Sequence, residues 1–68
     1  MTVVVNGEPT EVAADTTVAA VLAALGHPSS GAGIAVARNG EVVPRAAWAT
    51  TRLTSGDRLE VLAAAQGG

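Results

Sequence analysis

Two Asn-Gly dipeptides, each lying between two apolar, β-branched or strand-like runs, constrain the fold of this chain more than any other feature. The dipeptides are Asn6-Gly7 and Asn39-Gly40, and the runs that they join are 2–5, 8–12, 34–38 and 41–43. A two-residue type I′ turn needs positive φ at both central positions, which Asn and Gly tolerate best. The sequence therefore predicts two β-hairpins. Pro9 lacks a backbone donor, so we expect it at the start of its strand or on a sheet edge.

Between the hairpins, large apolar residues recur with the 3.6-residue spacing of a helix, which predicts a helix there. The large apolar residues of its predicted face are Val18, Val21, Leu22 and Leu25. Residues 15–17 (Asp-Thr-Thr) are N-cap candidates, because short oxygen-bearing side chains accept hydrogen bonds from the first helical N–H groups. Gly26 stands where a left-handed C-cap is expected, and Pro28 prevents the helix from continuing.

The remaining chain predicts a crossover segment and one last strand. Residues 58–62 alternate between polar and apolar types and predict a last strand, whereas 45–54 has no period and predicts an irregular crossover with Trp48 as its packing anchor. A helix with one apolar face needs a sheet to cover it, and the last strand can return beside the first. The prediction is an α+β fold of the β-grasp (ubiquitin-like) type, with about five strands on one main helix in the order β-β-α-β-β-β.

We expect residues 1–62 to form this domain and residues 63–68 to be a flexible tail that ends in Gly-Gly. Such a domain has a light core. Fifteen of its 33 apolar residues are Ala, there is one Trp, and Phe and Tyr are absent. A chain of this size and core is expected to be stable by roughly 3–5 kcal/mol.

The composition also excludes classes of function. The chain has no Cys, one His and scattered acids, so we expect neither catalytic residues nor a metal site. A net charge of −2 argues against a nucleic-acid partner. The sequence shows neither a membrane-length apolar run nor a charged leader, so we expect a cytoplasmic protein with no membrane contact. All four basic residues are Arg, so the side chains offer no amine for isopeptide-linked polymers.

The Gly67-Gly68 end is the feature that carries a possible chemistry. Six residues from Ala63 extend roughly 20 Å, enough to enter another protein's active site. Glycines lack Cβ atoms, so they pass a narrow channel and leave the carbonyl open to attack. A carboxylate is inert until a partner activates it, for example by adenylation with Mg-ATP, after which a thiol, an amine or a sulfur donor could react. Without Cys, the chain could carry sulfur only as a thiocarboxylate at this end.

Several stretches resemble one known family. They are 5–8, Thr17-Val18 with Leu22 and Leu25, 35–45 with Trp48, Leu53, 56–60 and 66–68. The Val-Pro-Arg-x-x-Trp segment together with the Gly-Gly end is the specific part, and the resemblance covers essentially the whole chain. The family is ThiS, the thiamine-biosynthesis sulfur carriers of the ubiquitin-like MoaD/ThiS superfamily.

The resemblance implies a protein co-substrate and not an enzyme. A ThiF/MoeB-like (E1-like) adenylyltransferase would adenylate the Gly68 carboxylate with ATP and Mg, so the carrier itself would bind no cofactor. Sulfur from a cysteine desulfurase would then displace AMP and give a thiocarboxylate, and thiazole synthase (ThiG) would accept that sulfur. Gly68 would carry the chemistry, Gly67 would give steric access, and Gln66 with Ala65 would line the partner's channel.

Leu62 is predicted to face outward, because Leu59 and Val61 face the core by alternation. An exposed Leu beside the tail suits an apolar docking interface, although incidental exposure explains it equally well. Three alternatives stay open. They are a sulfur carrier of another pathway (the molybdopterin synthase small subunit or cysteine biosynthesis), a ubiquitin-like protein modifier, and a non-covalent β-grasp interaction domain.

Overall fold

The computed structural model describes residues 1–64, and within them the chain forms five strands, one α-helix and one 3₁₀ helix. In chain order these are β1 (Thr2–Val5), β2 (Glu8–Glu11), α1 (Val18–Ala24), β3 (Ile34–Arg38), β4 (Glu41–Val42), the 3₁₀ helix (Arg45–Ala47) and β5 (Arg58–Ala63). The predicted β-β-α-β-β-β order is confirmed. The last strand runs one residue further than predicted, to Ala63.

The strands form a single mixed sheet in the order β2-β1-β5-β3-β4. β1 pairs antiparallel with β2 and parallel with β5, and β3 pairs antiparallel with both β5 and β4. The last strand thus returns to the centre of the sheet beside the first. Pro9 lies in the edge strand β2, where its missing N–H interrupts no ladder.

Both Asn-Gly pairs adopt the turn conformation that their sequence predicts. Asn6 and Gly7 have φ values of 50° and 83°, and Asn39 and Gly40 have 50° and 86°. Positive φ at both central residues is the requirement of the type I′ turn. These two turns therefore fix the register of both hairpins.

The helix is capped at both ends. The Thr17 hydroxyl accepts a hydrogen bond from the Ala20 N–H (3.2 Å), which confirms the predicted N-cap region. At the other end Gly26 has φ 85°, and the His27 N–H donates to the Leu22 carbonyl at 3.0 Å. That 6→1 bond with a left-handed glycine is the Schellman motif, so α1 stops where the sequence predicts.

The core lies between α1 and one face of the sheet. Its buried apolar residues are Val3, Val5, Val18, Val21, Leu22, Val36, Trp48, Leu53, Leu59 and Val61. Leu25 is a correction to the predicted helix face, because it is 46% exposed. It is the C-cap residue, beyond the last turn, so it does not continue the stripe that faces the sheet.

The segment 45–54 is more ordered than its lack of period suggests. Its Trp48 is buried, as predicted for a packing anchor, and the indole Nε1 donates to the Val43 carbonyl at 2.8 Å. The carbonyls of Trp48 and Thr51 accept the N–H groups of Ala19 and Val18, each at 3.0 Å. The crossover therefore satisfies two N–H groups of the helix start, which would otherwise lack partners.

Candidate functional site

The candidate site is the end of β5, the strand that precedes the last residues of the chain. Ala63 is in register with Ile34 of β3, and the Ala64 N–H donates to the Gly33 carbonyl at 2.6 Å. Ala64 is the last residue that the structure describes. Ala65, Gln66, Gly67 and Gly68 lie outside the described residues, so their roles stay predictions. Ala64, the residue before them, is held by the loop that precedes β3.

The root of this tail lies beside an open groove. The groove is lined by Gly31 and Gly33 of the loop, by Ile34 and Ala35 of β3, by Arg45, and by residues 62–64. Nη1 of Arg45 donates to the Ser30 carbonyl at 2.8 Å, which ties the 3₁₀ helix to the loop. Arg45 is thus an exposed cation near the end of β5, and its guanidinium contacts the backbone of Ser30.

Gly31 explains how Arg45 and Trp48 can lie so close to this loop. It is buried with φ 69°, a conformation that disfavours any residue with a side chain. A Cβ at this position would lie 2.5 Å from the Trp48 ring and 2.7 Å from Cδ of Arg45. The glycine lets the aromatic ring and the Arg side chain pack directly on the loop backbone.

The sheet face opposite α1 carries an apolar patch next to the tail root. Leu62 is 67% exposed on this face, as alternation predicts, and Val42 of β4 is 77% exposed. Strand register places the small Ala35 opposite Leu62 and Ala37 opposite Val42, so two alanines separate the two larger side chains. We define the outer patch as Val42, Ala37, Ala35 and Leu62.

Val42 is a member of this patch that the sequence did not single out. Val42 and Val43 are adjacent in a strand of two residues, so alternation alone does not tell which one faces outward. The Val43 side chain instead packs against the core. The usable signal was the Asn39-Gly40 turn, because its two-residue loop places Val42 opposite Ala37.

The side chain of Asn6 fixes the strand that leads to the tail. β1 ends at Val5, but Oδ1 of Asn6 accepts the Val61 N–H at 2.8 Å and Nδ2 donates to the Val61 carbonyl at 3.2 Å. The amide thus continues the pairing with β5 beyond the end of β1. The sequence predicts Asn6 as a turn residue only, because this partner lies 55 residues away along the chain.

Asp57 holds the start of the same strand. Its carboxylate accepts hydrogen bonds from the Thr54 N–H (2.7 Å), Nε of Arg38 (2.9 Å) and Nδ2 of Asn39 (3.0 Å), and it is 8% exposed. Burial by itself raises the pKa of this carboxyl, but the three hydrogen bonds and the charge of Arg38 together hold the pKa below its ordinary value. Asp57 is thus a structural group and not a proton-transfer group.

Acidification is expected to destabilise the fold through Asp57. Because the pKa is lower in the folded state, its contribution is complete above the unfolded pKa, about 4, and is lost as pH falls through the folded value. Thermal melts from pH 7 to 2 should show a falling Tm below about pH 4. Asp57→Asn should melt lower at pH 7 and fall less steeply in acid. An acid limb equally steep in Asp57→Asn would contradict this role.

Within residues 1–64, no group of three or more His, Cys, Asp or Glu side chains is arranged to hold a metal ion. His27 lies in a separate groove on the helix side, with Leu22 and Trp48. Over the same residues no helix is long and apolar enough to cross a bilayer. The site therefore consists of three features, which are the hydrogen-bonded end of β5, the outer patch and the Arg45 guanidinium.

Comparison with known proteins gives a family match over almost the whole chain. The model of the ThiS family matches residues 3–68. A crystal structure of the thiamine biosynthesis protein ThiS from Geobacter metallireducens superposes with a TM-score of 0.81 at 36% identity, covering 100% of both chains. An NMR structure of a thiamine biosynthesis protein from the same organism gives 0.82 at 36% identity, covering 100% of this chain and 88% of the other.

A curated relative is much longer than this chain. It is a thiazole synthase of Paramagnetospirillum magneticum, 41% identical over 68 residues. The match takes in 100% of this chain but only 20% of the relative's length. A segment similar to this entire chain is therefore part of a polypeptide that bears the name of a thiazole synthase.

Proposed function

This chain belongs to the ThiS family, and from that premise we propose that it is a sulfur carrier for the thiazole of thiamine. The observation that carries the proposal is the family match, which extends over the tail to residue 68. The end of β5 supports it, because hydrogen bonds hold the chain up to Ala64, directly before the residues that are proposed to enter the partner. The carrier is a protein substrate, and its partners perform the catalysis.

The proposed chemistry takes place at the Gly68 carboxylate. A carboxylate oxygen attacks the α-phosphate of ATP, pyrophosphate leaves, and an acyl adenylate forms in an E1-like adenylyltransferase of the ThiF/MoeB type. A persulfide sulfur supplied by a cysteine desulfurase attacks the carbonyl and displaces AMP. A thiol then reduces the remaining S–S bond and releases the thiocarboxylate. ATP and Mg belong to the activating enzyme in this scheme, and Gly67, Gln66 and Ala65 lie in its channel.

Thiazole synthase (ThiG) is the proposed acceptor of the sulfur. The support is the thiazole synthase of Paramagnetospirillum magneticum, in which a segment resembling this chain shares a polypeptide with further sequence. Joining a carrier segment to its acceptor in one polypeptide would raise the effective concentration of the two for each other. That relationship favours the thiamine pathway over molybdopterin or cysteine biosynthesis for this carrier.

The outer patch is the proposed docking surface for the activating enzyme. It lies on the sheet face opposite α1 and next to the tail root, so a partner seated there receives the tail directly. Its apolar residues suit an interface core, and Glu60, which is in register with Ala37, adds one carboxylate beside them. Leu62 is its member nearest to the tail.

Leu62→Ser is expected to raise the Kd for the adenylyltransferase about tenfold, because a buried apolar anchor contributes more than 1 kcal/mol to such interfaces. The matched control is Leu25→Ser, since Leu25 is also an exposed Leu (46%) but lies at the end of α1. Calorimetry or surface plasmon resonance measures both. Equal affinities for the two variants would remove Leu62 from the interface.

Complementation of two bacterial strains tests the pathway. One strain lacks its thiamine sulfur carrier and the other lacks the small subunit of molybdopterin synthase. We expect this chain to restore growth without thiamine in the first strain and no molybdenum-enzyme activity in the second. Deletion of Gly67 and Gly68 should abolish the rescue. Rescue of the second strain only would assign the carrier to molybdopterin, and rescue by the deleted variant would refute a role for the glycine end.

A further inference from the structure

Each of the two Asn-Gly turns places a side-chain amide next to the backbone nitrogen of a glycine. Both turns are exposed, and among residues 1–64 neither the Gly7 nor the Gly40 N–H donates to a backbone carbonyl. A glycine has no Cβ to shield its own nitrogen, which can therefore reach Cγ of the preceding Asn when that side chain turns toward it. Asn is among the chemically labile residues of proteins, and an Asn-Gly pair is where it loses ammonia most readily.

The reaction at such a pair needs water alone. In the second turn, the backbone nitrogen of Gly40 would attack Cγ of Asn39, the Cγ–Nδ2 bond would break, and ammonia would leave with the proton of the glycine nitrogen. Water would then open the five-membered imide at either carbonyl and leave aspartate or isoaspartate at this position. One water is taken up and one ammonia is released, so neither an oxidant nor an enzyme is needed.

Hydrogen bonds hold both Asn side chains against this reaction. The Asn6 amide bonds twice to the backbone of Val61, at 2.8 and 3.2 Å. In the second turn, Oδ1 of Asn39 accepts the Arg58 N–H at 2.9 Å, and Nδ2 donates to the Asp57 carboxylate at 3.0 Å. Turning Cγ toward the glycine nitrogen breaks such bonds, so the folded chain protects both turns.

The two turns differ in what this protection depends on. Asn6 is tied to the main chain of β5, the middle strand of the sheet, and its hairpin joins two strands of four residues each. The Asn39 hairpin ends in β4, an edge strand of two residues, and one of its two bonds goes to a side chain, that of Asp57. Short elements with few partners open most readily. An opening that leaves most of the sheet intact is thus enough to release Asn39.

We propose that Asn39 is a modification site of this protein, the position at which the folded chain deamidates first, and that its hydrogen bond to the Asp57 carboxylate limits the rate. Asp57 is a positioning residue in this reaction, because it holds the nitrogen that would leave as ammonia. The inference concerns the described domain and does not depend on the proposed function.

Deamidation would also turn an attractive contact into a repulsive one. Nδ2 of Asn39 donates to Asp57, whereas a carboxylate at the same position can only accept. Two carboxylates would then face each other at a place where Asp57 is 8% exposed and also binds the Thr54 N–H and Nε of Arg38. Like charges at short range are unfavourable there. We therefore expect the modified protein to melt at a lower temperature than the unmodified one.

The test follows the two turns separately in the full chain. The protein is incubated in mildly alkaline buffer, either native or denatured in guanidinium chloride, and samples are digested with trypsin. Cleavage after Arg38 and Arg45 gives peptide 39–45, which reports Asn39, and peptide 1–38, which reports Asn6. Mass spectrometry measures the fraction of each peptide in which an amide NH₂ has been replaced by OH.

Two variants separate the hydrogen bond from the charge. Asp57→Asn keeps the shape of the side chain but removes the charged acceptor of Nδ2. Glu41→Gln is the matched control, since it removes an exposed carboxylate from the same hairpin and leaves the Asn39–Asp57 contact in place. Circular dichroism checks that each protein is folded, and Asn6 serves as the internal control in every sample.

We expect native wild type to convert at Asn39 faster than at Asn6, and both more slowly than in guanidinium chloride. Asp57→Asn should raise the rate at Asn39 about tenfold and leave Asn6 unchanged, because a hydrogen bond to a charged group is worth about that factor. Glu41→Gln should leave both rates unchanged.

Four results would overturn the proposal. They are earlier conversion of Asn6 in the native wild type, an unchanged rate at Asn39 in folded Asp57→Asn, an equal acceleration of both turns in that variant, and an acceleration by Glu41→Gln as large as that by Asp57→Asn.

A second measurement keeps the proposal testable if Asp57→Asn folds poorly. Asn39→Asp copies the aspartate product, and combining it with Asp57→Asn exchanges the carboxylate and the amide across the contact. We expect Asn39→Asp to melt below wild type and the double variant to melt above Asn39→Asp, because an amide at position 57 again donates to a carboxylate at position 39. A double variant that melts no higher than Asn39→Asp would show that this contact does not hold Asn39.

Discussion

Trp48→Ala is expected to leave most of the protein unfolded at room temperature. Trp48 is the single aromatic residue of the chain, and it is 6% exposed within the core. Truncating a buried Trp to Ala costs about 3–5 kcal/mol. The whole stability expected for a domain of this size is of similar magnitude, roughly 3–5 kcal/mol. Far-UV circular dichroism with urea denaturation measures the folded fraction.

Trp48→Phe separates the ring from its hydrogen bond. The phenyl ring fills much of the same space, but the Val43 carbonyl loses the indole donor that lies at 2.8 Å. We expect a cost of about 1–2 kcal/mol and a protein that stays mostly folded with a lower Tm. If Trp48→Ala instead melted like wild type, the segment 45–54 would not anchor α1 to the sheet.

Gly68→Ala is expected to slow adenylation about 100-fold while the domain stays fully folded. Rates of this kind fall by about that factor when the reacting group is displaced by roughly 1 Å. The added Cβ narrows the fit of the tail in the activating enzyme's channel, which is the reason for glycine at this position in the proposed mechanism. The stability of the fold is expected to stay unchanged, because the substitution lies beyond Ala63, where β5 ends.

The rate is measured as pyrophosphate released by the adenylyltransferase at saturating ATP. Ala24→Ser, an exposed change at the end of α1, is the control and should keep the wild-type rate. Melting curves of both variants should match wild type. A wild-type adenylation rate for Gly68→Ala would show that the channel accepts a side chain, and the steric role of the glycines would be wrong.

The elements that depend on neighbouring residues could be predicted from the sequence. The two hairpins follow from Asn-Gly turns, and α1 follows from its apolar period, the Thr17 cap and the Gly26 stop. The prediction that Leu25 lies on the core face was wrong, because the spacing of apolar residues does not show where the last turn of the helix ends. The fold class followed from the order of these elements, since one helix face requires one sheet.

The features that depend on distant pairing could not be predicted in this way. The Asn6–Val61 and Asp57–Asn39 contacts join residues 55 and 18 positions apart. The close packing at Gly31 likewise depends on where Trp48 comes to lie. Leu62 was accessible to prediction because β5 is long enough to alternate clearly.

The central claim is that Gly68 carries sulfur as a thiocarboxylate, and intact mass measures it most directly. The chain is incubated with a ThiF-like adenylyltransferase, Mg-ATP, cysteine and a cysteine desulfurase, alongside the variant that lacks Gly67 and Gly68. We predict a mass gain equal to the replacement of one oxygen by sulfur in the full chain and no gain in the shortened one. An unchanged mass with an enzyme system that loads its own carrier, or an equal gain in the shortened chain, would contradict the account.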